Sequence, residues 1–240
     1  MKKLLLVSLL SLAIAAVAMA DVPNRPYQAD QETAQLAAGG GSNACTIVYY
    51  NFCSGWIWLY SGFAQGDEAA VVYDLAADCS GGPCCHTGGF WYWRYTTPGY
   101  GFTVSYDLYD VDCNTYCRVG ASLGSLAGQD PVERWNFVPG LGCATSDCVA
   151  VVATFDKGTL PYIATDNNES NAVGGPACAG VGVGLGSSVF YGNPGATAYC
   201  PPQAFADALG PVDIAAVAFF DCQKTATEDA SWSDVKGLFR

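Results

Sequence analysis

The 240-residue chain carries 10 Lys and Arg against 22 Asp and Glu, a formal charge of −12. That balance excludes the basic footprint that nucleic acids and anionic membrane surfaces require, and it favours solubility and divalent cations. The length suffices for one sizeable all-β domain.

Lys2 and Lys3, the apolar run Leu4 to Val17 and the small-x-small site Ala18-Met19-Ala20 predict a signal peptide over residues 1–20. The apolar run is shorter than the roughly 20 residues that span a bilayer, so membrane insertion is not expected. Removing Lys2 and Lys3 leaves 8 basic against 22 acidic residues in a secreted chain, extracellular or periplasmic, starting at Asp21. Residues 21–44, polar and ending near Gly39-Gly40-Gly41-Ser42, read as a flexible N-terminal arm.

Strand-like runs then follow at short spacing: Cys45–Tyr50, Trp56–Phe63 and Ala69–Leu75. The stretch from Phe90 to Asp112 places two aromatic, β-branched runs around Thr97-Pro98-Gly99. Proline presets the first turn position and glycine accepts a positive φ, which predicts two consecutive strands of one antiparallel sheet. Cys113–Asp130, with two cysteines and several glycines, reads as a loop. Arg134–Val138, Cys148–Phe155 and Leu160–Thr165 are further strands, followed by a polar loop from Asp166 to Gly175. The alternation Gly180 to Gly186 reads as a strand with one bare face, then come strands at Ser187–Tyr191 and Ala196–Cys200. Pro201–Leu209 reads as a short helix and residues 223–240 as a polar tail; Val212–Cys222 is ambiguous between strand and helix by periodicity and is read as a closing strand because Cys222 would tie it back to the sheet. Many short strands with turn residues between them predict a single antiparallel β-sandwich, jelly-roll-like, over residues 45–222.

All twelve cysteines lie beyond residue 20, and their even number predicts up to six disulfides in an oxidising compartment. Each contributes roughly 2–4 kcal/mol, mostly by restricting the unfolded chain. Short spacing suggests the pairs Cys113–Cys117 and Cys143–Cys148. Adjacent Cys84 and Cys85 are expected to serve two different bridges.

Gly120-Ala121-Ser122-Leu123-Gly124 matches a nucleophile elbow, but such a site needs a strand-to-helix turn and a later histidine. The single histidine, His86, precedes it, so Ser122 reads as a loop residue. Zinc at His86 lacks the paired ligand spacing that structural sites use. Asp107, Asp110, Asp112 and Asn114 offer hard oxygen ligands, and Asp110-Val111-Asp112-Cys113-Asn114 resembles the opening of a calcium loop. The loop's glycine and closing glutamate are missing, with Ala121 at the twelfth position. Asp166, Asn167, Asn168 and Glu169 form a second acidic loop. No cofactor other than calcium is suggested.

The aromatic stripes are the most informative feature. On a strand, Trp56, Trp58 and Tyr60 share one face; Trp91, Trp93 and Tyr95 share one face and oppose Phe90, Tyr92 and Arg94. Both faces are apolar or aromatic: one reading buries both, one in the sandwich core and the other under loops, and the other leaves an aromatic platform exposed on which sugar rings stack, with Arg94 as a hydrogen-bond donor.

Three segments, Trp56–Asp74, Gly99–Asp112 and Leu160–Asn167, resemble a group of secreted, cysteine-rich bacterial proteins predicted from environmental genomes, which look like jelly-roll sandwiches. The resemblance covers Cys45 to Cys222; it implies a single sandwich and carries no activity or functional residue. The reading is a secreted, non-catalytic recognition module for glycan or cell-surface material, using Trp56, Trp58, Tyr60, Trp91, Trp93, Tyr95 and Arg94. A structural subunit of an extracellular layer, appendage or matrix is the alternative, and a secreted hydrolase the third.

Overall fold

Strand β5, Cys84–Arg94, is hydrogen-bonded along both edges and forms the axis of the structure. The structure, a computed structural model, describes residues 27–28, 44–50, 56–60, 63–79, 83–94, 102–132, 134–158, 162–166, 187–192, 199–205, 207 and 212–222. The other strands are β1 (Tyr27–Gln28), β2 (Ala44–Val48), β3 (Trp56–Tyr60), β4 (Glu68–Asp74), β6 (Phe102–Val111) and β7 (Arg118–Gln129). They continue with β8 (Arg134–Cys143), β9 (Cys148–Gly158), β10 (Tyr162–Thr165), β11 (Ser188–Gly192), β12 (Gln203–Ala204) and β13 (Ala216–Cys222). A one-turn helix, Leu75–Asp78, follows β4 and is capped by Asp74, whose carboxylate accepts from the Ala77 amide at 2.9 Å.

Two antiparallel sheets result. The seven-stranded sheet runs β1-β3-β10-β5-β13-β2, with β8 on the other edge of β5; the six-stranded sheet runs β12-β11-β4-β9-β6-β7. The expected β-sandwich is what forms. The expected closing strand is β13, paired with both β5 and β2.

The central pair is a correction. Strands β5 and β6 are consecutive but lie in different sheets, so the chain crosses the sandwich instead of making a hairpin. Their inner side chains meet across the core: Trp93 Nε1 donates to Tyr106 Oη at 2.8 Å, and the Trp93 and Phe102 rings are 5.4 Å apart. The supposed loop at 113–130 is a second correction, since most of it is β7. Small residues there weaken intrinsic strand preference, and pairing with β6 supplies it instead. Gln203–Ala204 is strand within the segment read as helix, and Tyr199 and Cys200 are not in a strand. The signal segment, the Gly180–Gly186 alternation and the tail from 223 lie outside the described residues.

Between the sheets, Trp91 and Trp93 from β5 pack with Tyr106 and Leu108 from β6, Val151 and Phe155 from β9, and Phe220 from β13. Each such burial contributes roughly 1.5–3 kcal/mol. The edge strands β7 and β8 close one side of the sandwich. A Cβ on Gly124 would sit 1.5 Å from the Leu141 carbonyl oxygen, so only glycine permits that backbone contact.

Five disulfides staple the described residues: Cys45–Cys79, Cys84–Cys222, Cys85–Cys143, Cys113–Cys148 and Cys117–Cys200. As expected, Cys84 and Cys85 serve different bridges, one to each neighbouring strand of β5. The short-range pairs Cys113–Cys117 and Cys143–Cys148 do not form. The turn after β6, held by Asp112 N on Cys117 O and Tyr116 N on Asp112 O, leads Cys113 to the start of β9 and Cys117 to Cys200. Cys143 lies opposite Cys85 in the ladder.

Candidate functional site

Alternation along β5 decides the fate of the aromatic stripe. Trp91 and Trp93 are 2% and 0% exposed, and Tyr60 on β3 is 4% exposed; all three belong to the core. At these positions the expected platform is not presented to solvent, because the face they share is the one covered by the six-stranded sheet. Trp56 and Trp58 lie in β3, but their side chains are outside the described residues, as is the whole of Tyr95. Arg94 is half-buried at the end of β5.

The opposite face of the same sheet is aromatic as well. Phe90 lies across the ladder from Phe137 on β8, and Tyr92 lies across from Trp135. Phe90 meets Phe137 edge-on at 5.3 Å and Phe219 of β13 at 6.0 Å, while Trp135 meets Tyr92 at 5.2 Å and Tyr50 at 5.5 Å. Tyr50 and Tyr92 are buried beneath this layer with Val217, Leu59 and Ala164; burial pushes the pKa of Tyr50 up. Phe90, Trp135 and Phe219 are half-buried, and Phe137 is 59% exposed. The buried Trp135 indole N–H has no hydrogen-bond partner among the described residues. Sequence reasoning placed a strand at 134–138 but did not single out Trp135, Phe137 or Phe219. The signal was their period of two, visible as soon as β8 is laid beside β5.

The four candidate calcium ligands do not converge. By alternation, Asp107 and Asp110 point to opposite faces of β6. Asp110 is buried and accepts from the amides and hydroxyls of Thr145 and Ser146. Burial acts to raise its pKa, but those bonds together outweigh it and hold the carboxyl below its ordinary range. Asp112 Oδ1 accepts from the Thr115 hydroxyl and amide and the Asn114 amide; these bonds lower its pKa and close its own turn. Asp107 accepts from Ser122 Oγ at 2.9 Å. Asp107, Asp110 and Asp112 thus each have hydrogen-bond partners within the protein. Among the described residues no group of three or more His, Cys, Asp or Glu is placed to hold a metal. In the second acidic loop, Asp166 is buried and accepts the Asp213 amide at 2.7 Å, whereas residues 167–170 lie outside the description.

The remaining catalytic motif resolves as structure. Ser122 Oγ contacts Asp107 and the Gly124 carbonyl, while His86 is buried on β5 with Nδ1 accepting the Leu141 amide at 3.3 Å. On the outer face of the six-stranded sheet, Arg118 pairs with Glu68 and lies 4.3 Å from the ring centroids of both Tyr109 and Tyr191. This closed cluster ties β7 to β4 across the sheet. Among the described residues, no helix is long and apolar enough to cross a membrane.

Fold and surface together define a disulfide-stapled antiparallel β-sandwich whose seven-stranded sheet carries an aromatic outer face. No family model and no curated protein matches the chain. Solved structures that match include the cysteine protease and lectin-like domains of Cwp84, a surface layer associated protein of Clostridium difficile. That likeness has 12% identity and a TM-score of 0.49, over 77% of this chain and 37% of the other. The clostridial cysteine protease Cwp84 after propeptide cleavage matches at 11% identity and a TM-score of 0.51, over 77% and 41% of the two chains. The chain thus spans about two-fifths of the length of these neighbours, and the likeness is one of fold alone.

Proposed function

We propose that the protein is a secreted, non-catalytic recognition module that takes glycan or other cell-surface material on the outer aromatic face of the seven-stranded sheet. The observation that carries this reading is the cluster of Phe90, Trp135, Phe137 and Phe219, partly exposed rings on the face turned away from the core. A sugar ring presents polarised C–H groups that sit well on the negative face of an aromatic ring. Contiguous exposed aromatic surface of this kind marks interaction sites on soluble proteins. Five disulfides support an extracellular setting.

The test is acrylamide quenching of tryptophan fluorescence in the oxidised protein across a glycan panel, repeated with Phe137→Ala. A binding glycan should shield Trp135, and Phe137→Ala should weaken it about ten-fold, or ~1.4 kcal/mol. No ligand in the panel, or a ligand indifferent to Phe137→Ala, sinks the proposal. Concentration-dependent assembly abolished by the same substitution would instead make the face a subunit interface.

A further inference from the structure

We infer that the protein reaches its native bridges by disulfide reshuffling, on a partner of the dithiol disulfide-isomerase class. Taken in chain order, its twelve cysteines pair as Cys45 with Cys53, Cys79 with Cys84, Cys85 with Cys113, Cys117 with Cys143, Cys148 with Cys178 and Cys200 with Cys222. Each of these six pairs contains a cysteine that the structure joins to a different one. The predicted signal peptide implies that the chain emerges N-terminus first. Oxidation two by two in that order makes none of the five bridges found among the described residues.

Loop closure favours wrong bridges as well, because its entropic cost grows with loop length. Cys113 and Cys117 are four residues apart, whereas Cys113–Cys148 closes 35 residues and Cys117–Cys200 closes 83. The three-halves power of those ratios favours the short pair by roughly 25-fold over the first and roughly 100-fold over the second. Cys143 and Cys148 are five apart against 58 for Cys85–Cys143, an advantage of roughly 40-fold. These two short bridges block three native ones, Cys85–Cys143, Cys113–Cys148 and Cys117–Cys200.

The folded ladders select the native partners. Cys85 lies opposite Cys143 between β5 and β8, and Cys84 opposite Cys222 between β5 and β13, so strand pairing joins cysteines 58 and 138 residues apart. Cys222 is the last cysteine of the chain and Cys84 is fully buried in the core. A wrong partner on Cys84 therefore has to be exchanged before the sheets close. Uncatalysed, such exchange takes up to hours. A thiolate of the partner attacks one sulfur of a wrong bridge, forming a mixed disulfide and releasing the other cysteine as a thiolate. That thiolate attacks the next wrong bridge, and the last one released displaces the partner as a dithiol. One S–S bond breaks for each that forms, so exchange moves no net electrons. The two electrons and two protons lost in first making each bridge pass to a protein disulfide donor, which leaves as a dithiol.

The oxidised chain is reduced in denaturant and refolded in two arms. One receives diamide alone, which oxidises thiols and leaves none free to exchange; in the other, diamide is then removed and a catalytic amount of reduced protein disulfide isomerase is added. Non-reducing peptide mapping reads the bridges. Diamide alone should give Cys113–Cys117 and Cys143–Cys148 peptides, and isomerase should raise the native bridges about ten-fold or more, given the loop-closure bias. Cys113→Ser combined with Cys148→Ser removes both short traps at the expense of one native bridge. With diamide alone, that double variant should form Cys85–Cys143 and Cys117–Cys200 several-fold better than the wild type. Equal native yields in the two wild-type arms, native bridges in neither, or a double variant as dependent on isomerase as the wild type overturn the inference.

Discussion

His86 is the chain's only histidine, and it is buried on β5, with its ring edge-on to Phe220 and Nδ1 accepting the Leu141 amide of β8. Burial pushes its pKa down from 6.5 to about 4. Acidification below pH ~6.5 lets the unfolded chain take up a proton that the folded chain refuses, so stability falls by about 1.4 kcal/mol per pH unit. The fall levels off near pH 4, where folded His86 also protonates, after a total loss of about 3 kcal/mol. Stability from this group is thus fully present at neutral pH and is lost as pH drops through that window. Urea unfolding of the wild type and His86→Asn, from neutral pH to pH ~4, measures it. Asparagine's Oδ1 can still accept the Leu141 amide and does not titrate. The smaller side chain lowers stability at every pH but should abolish this part of the slope. Carboxylates such as Asp110 and Asp112, whose depressed pKa values also cost stability in acid, cancel in the difference between the two proteins. Equal slopes, or a folded-state histidine resonance titrating near pH ~6.5, would refute the burial argument.

Three other outcomes test the packing. Gly124→Ala puts a Cβ 1.5 Å from the Leu141 carbonyl oxygen and should destabilise by more than ~3 kcal/mol in urea, because backbone has to move. Gly120→Ala, with φ +80° but nothing within 4 Å, should cost only about 1 kcal/mol in the same assay. Trp93→Phe keeps a core ring but leaves the buried Tyr106 hydroxyl without its indole partner; a loss of roughly 1–3 kcal/mol or more, with about 1 kcal/mol of coupling to Tyr106→Phe in a double-mutant cycle, is expected. Non-reducing peptide mapping should recover Cys113 linked to Cys148 and Cys117 linked to Cys200, and a Cys113–Cys117 peptide would contradict the turn described here.

Local chemistry made most strands legible. Runs of β-branched and aromatic residues marked β2 to β4, the second half of β5, β6 and β8 to β11; the first half of β5, Cys84–Gly89, reads as a cysteine-rich loop, and β13 was marked by Cys222 where periodicity alone was ambiguous. Partners were less legible. Thr97-Pro98-Gly99 announces a reversal, but a reversal within a sheet and one across a sandwich use the same turn residues. The difference lies in what Trp93 and Tyr106 meet, a contact 13 residues apart that no local window contains. β7 was missed because its glycines and alanines make a poor strand in isolation, and Gly124 is needed where β8 comes too close for a side chain. Cysteine spacing misled for a related reason. Disulfides follow distances in the folded ladder, and Cys85 meets Cys143 because β5 pairs with β8 in that register.

The choice of face on β5 shows why partner strands had to be known. Phe90, Trp91, Tyr92 and Trp93 alternate large rings on both sides, so the strand alone is indifferent to which side becomes core. Its neighbours are not. On β13, Ala216 and Ala218 share a face with Phe220, while Val217 and Phe219 occupy the other. Trp91 pairs with Ala216 and Phe90 with Val217, so the bulkiest rings of β5 lie beside the smallest side chains of β13. A core bounded by sheets about 10 Å apart has room for that combination. The reverse orientation would crowd Phe90 between Val217 and Phe137 inside the core, and would deprive Trp93 of its bond to Tyr106. Unequal volumes across the β5–β13 ladder thus send the tryptophans inward. The same inequality leaves Phe90, Phe137 and Phe219 on the surface where the protein meets its ligand in the function proposed here.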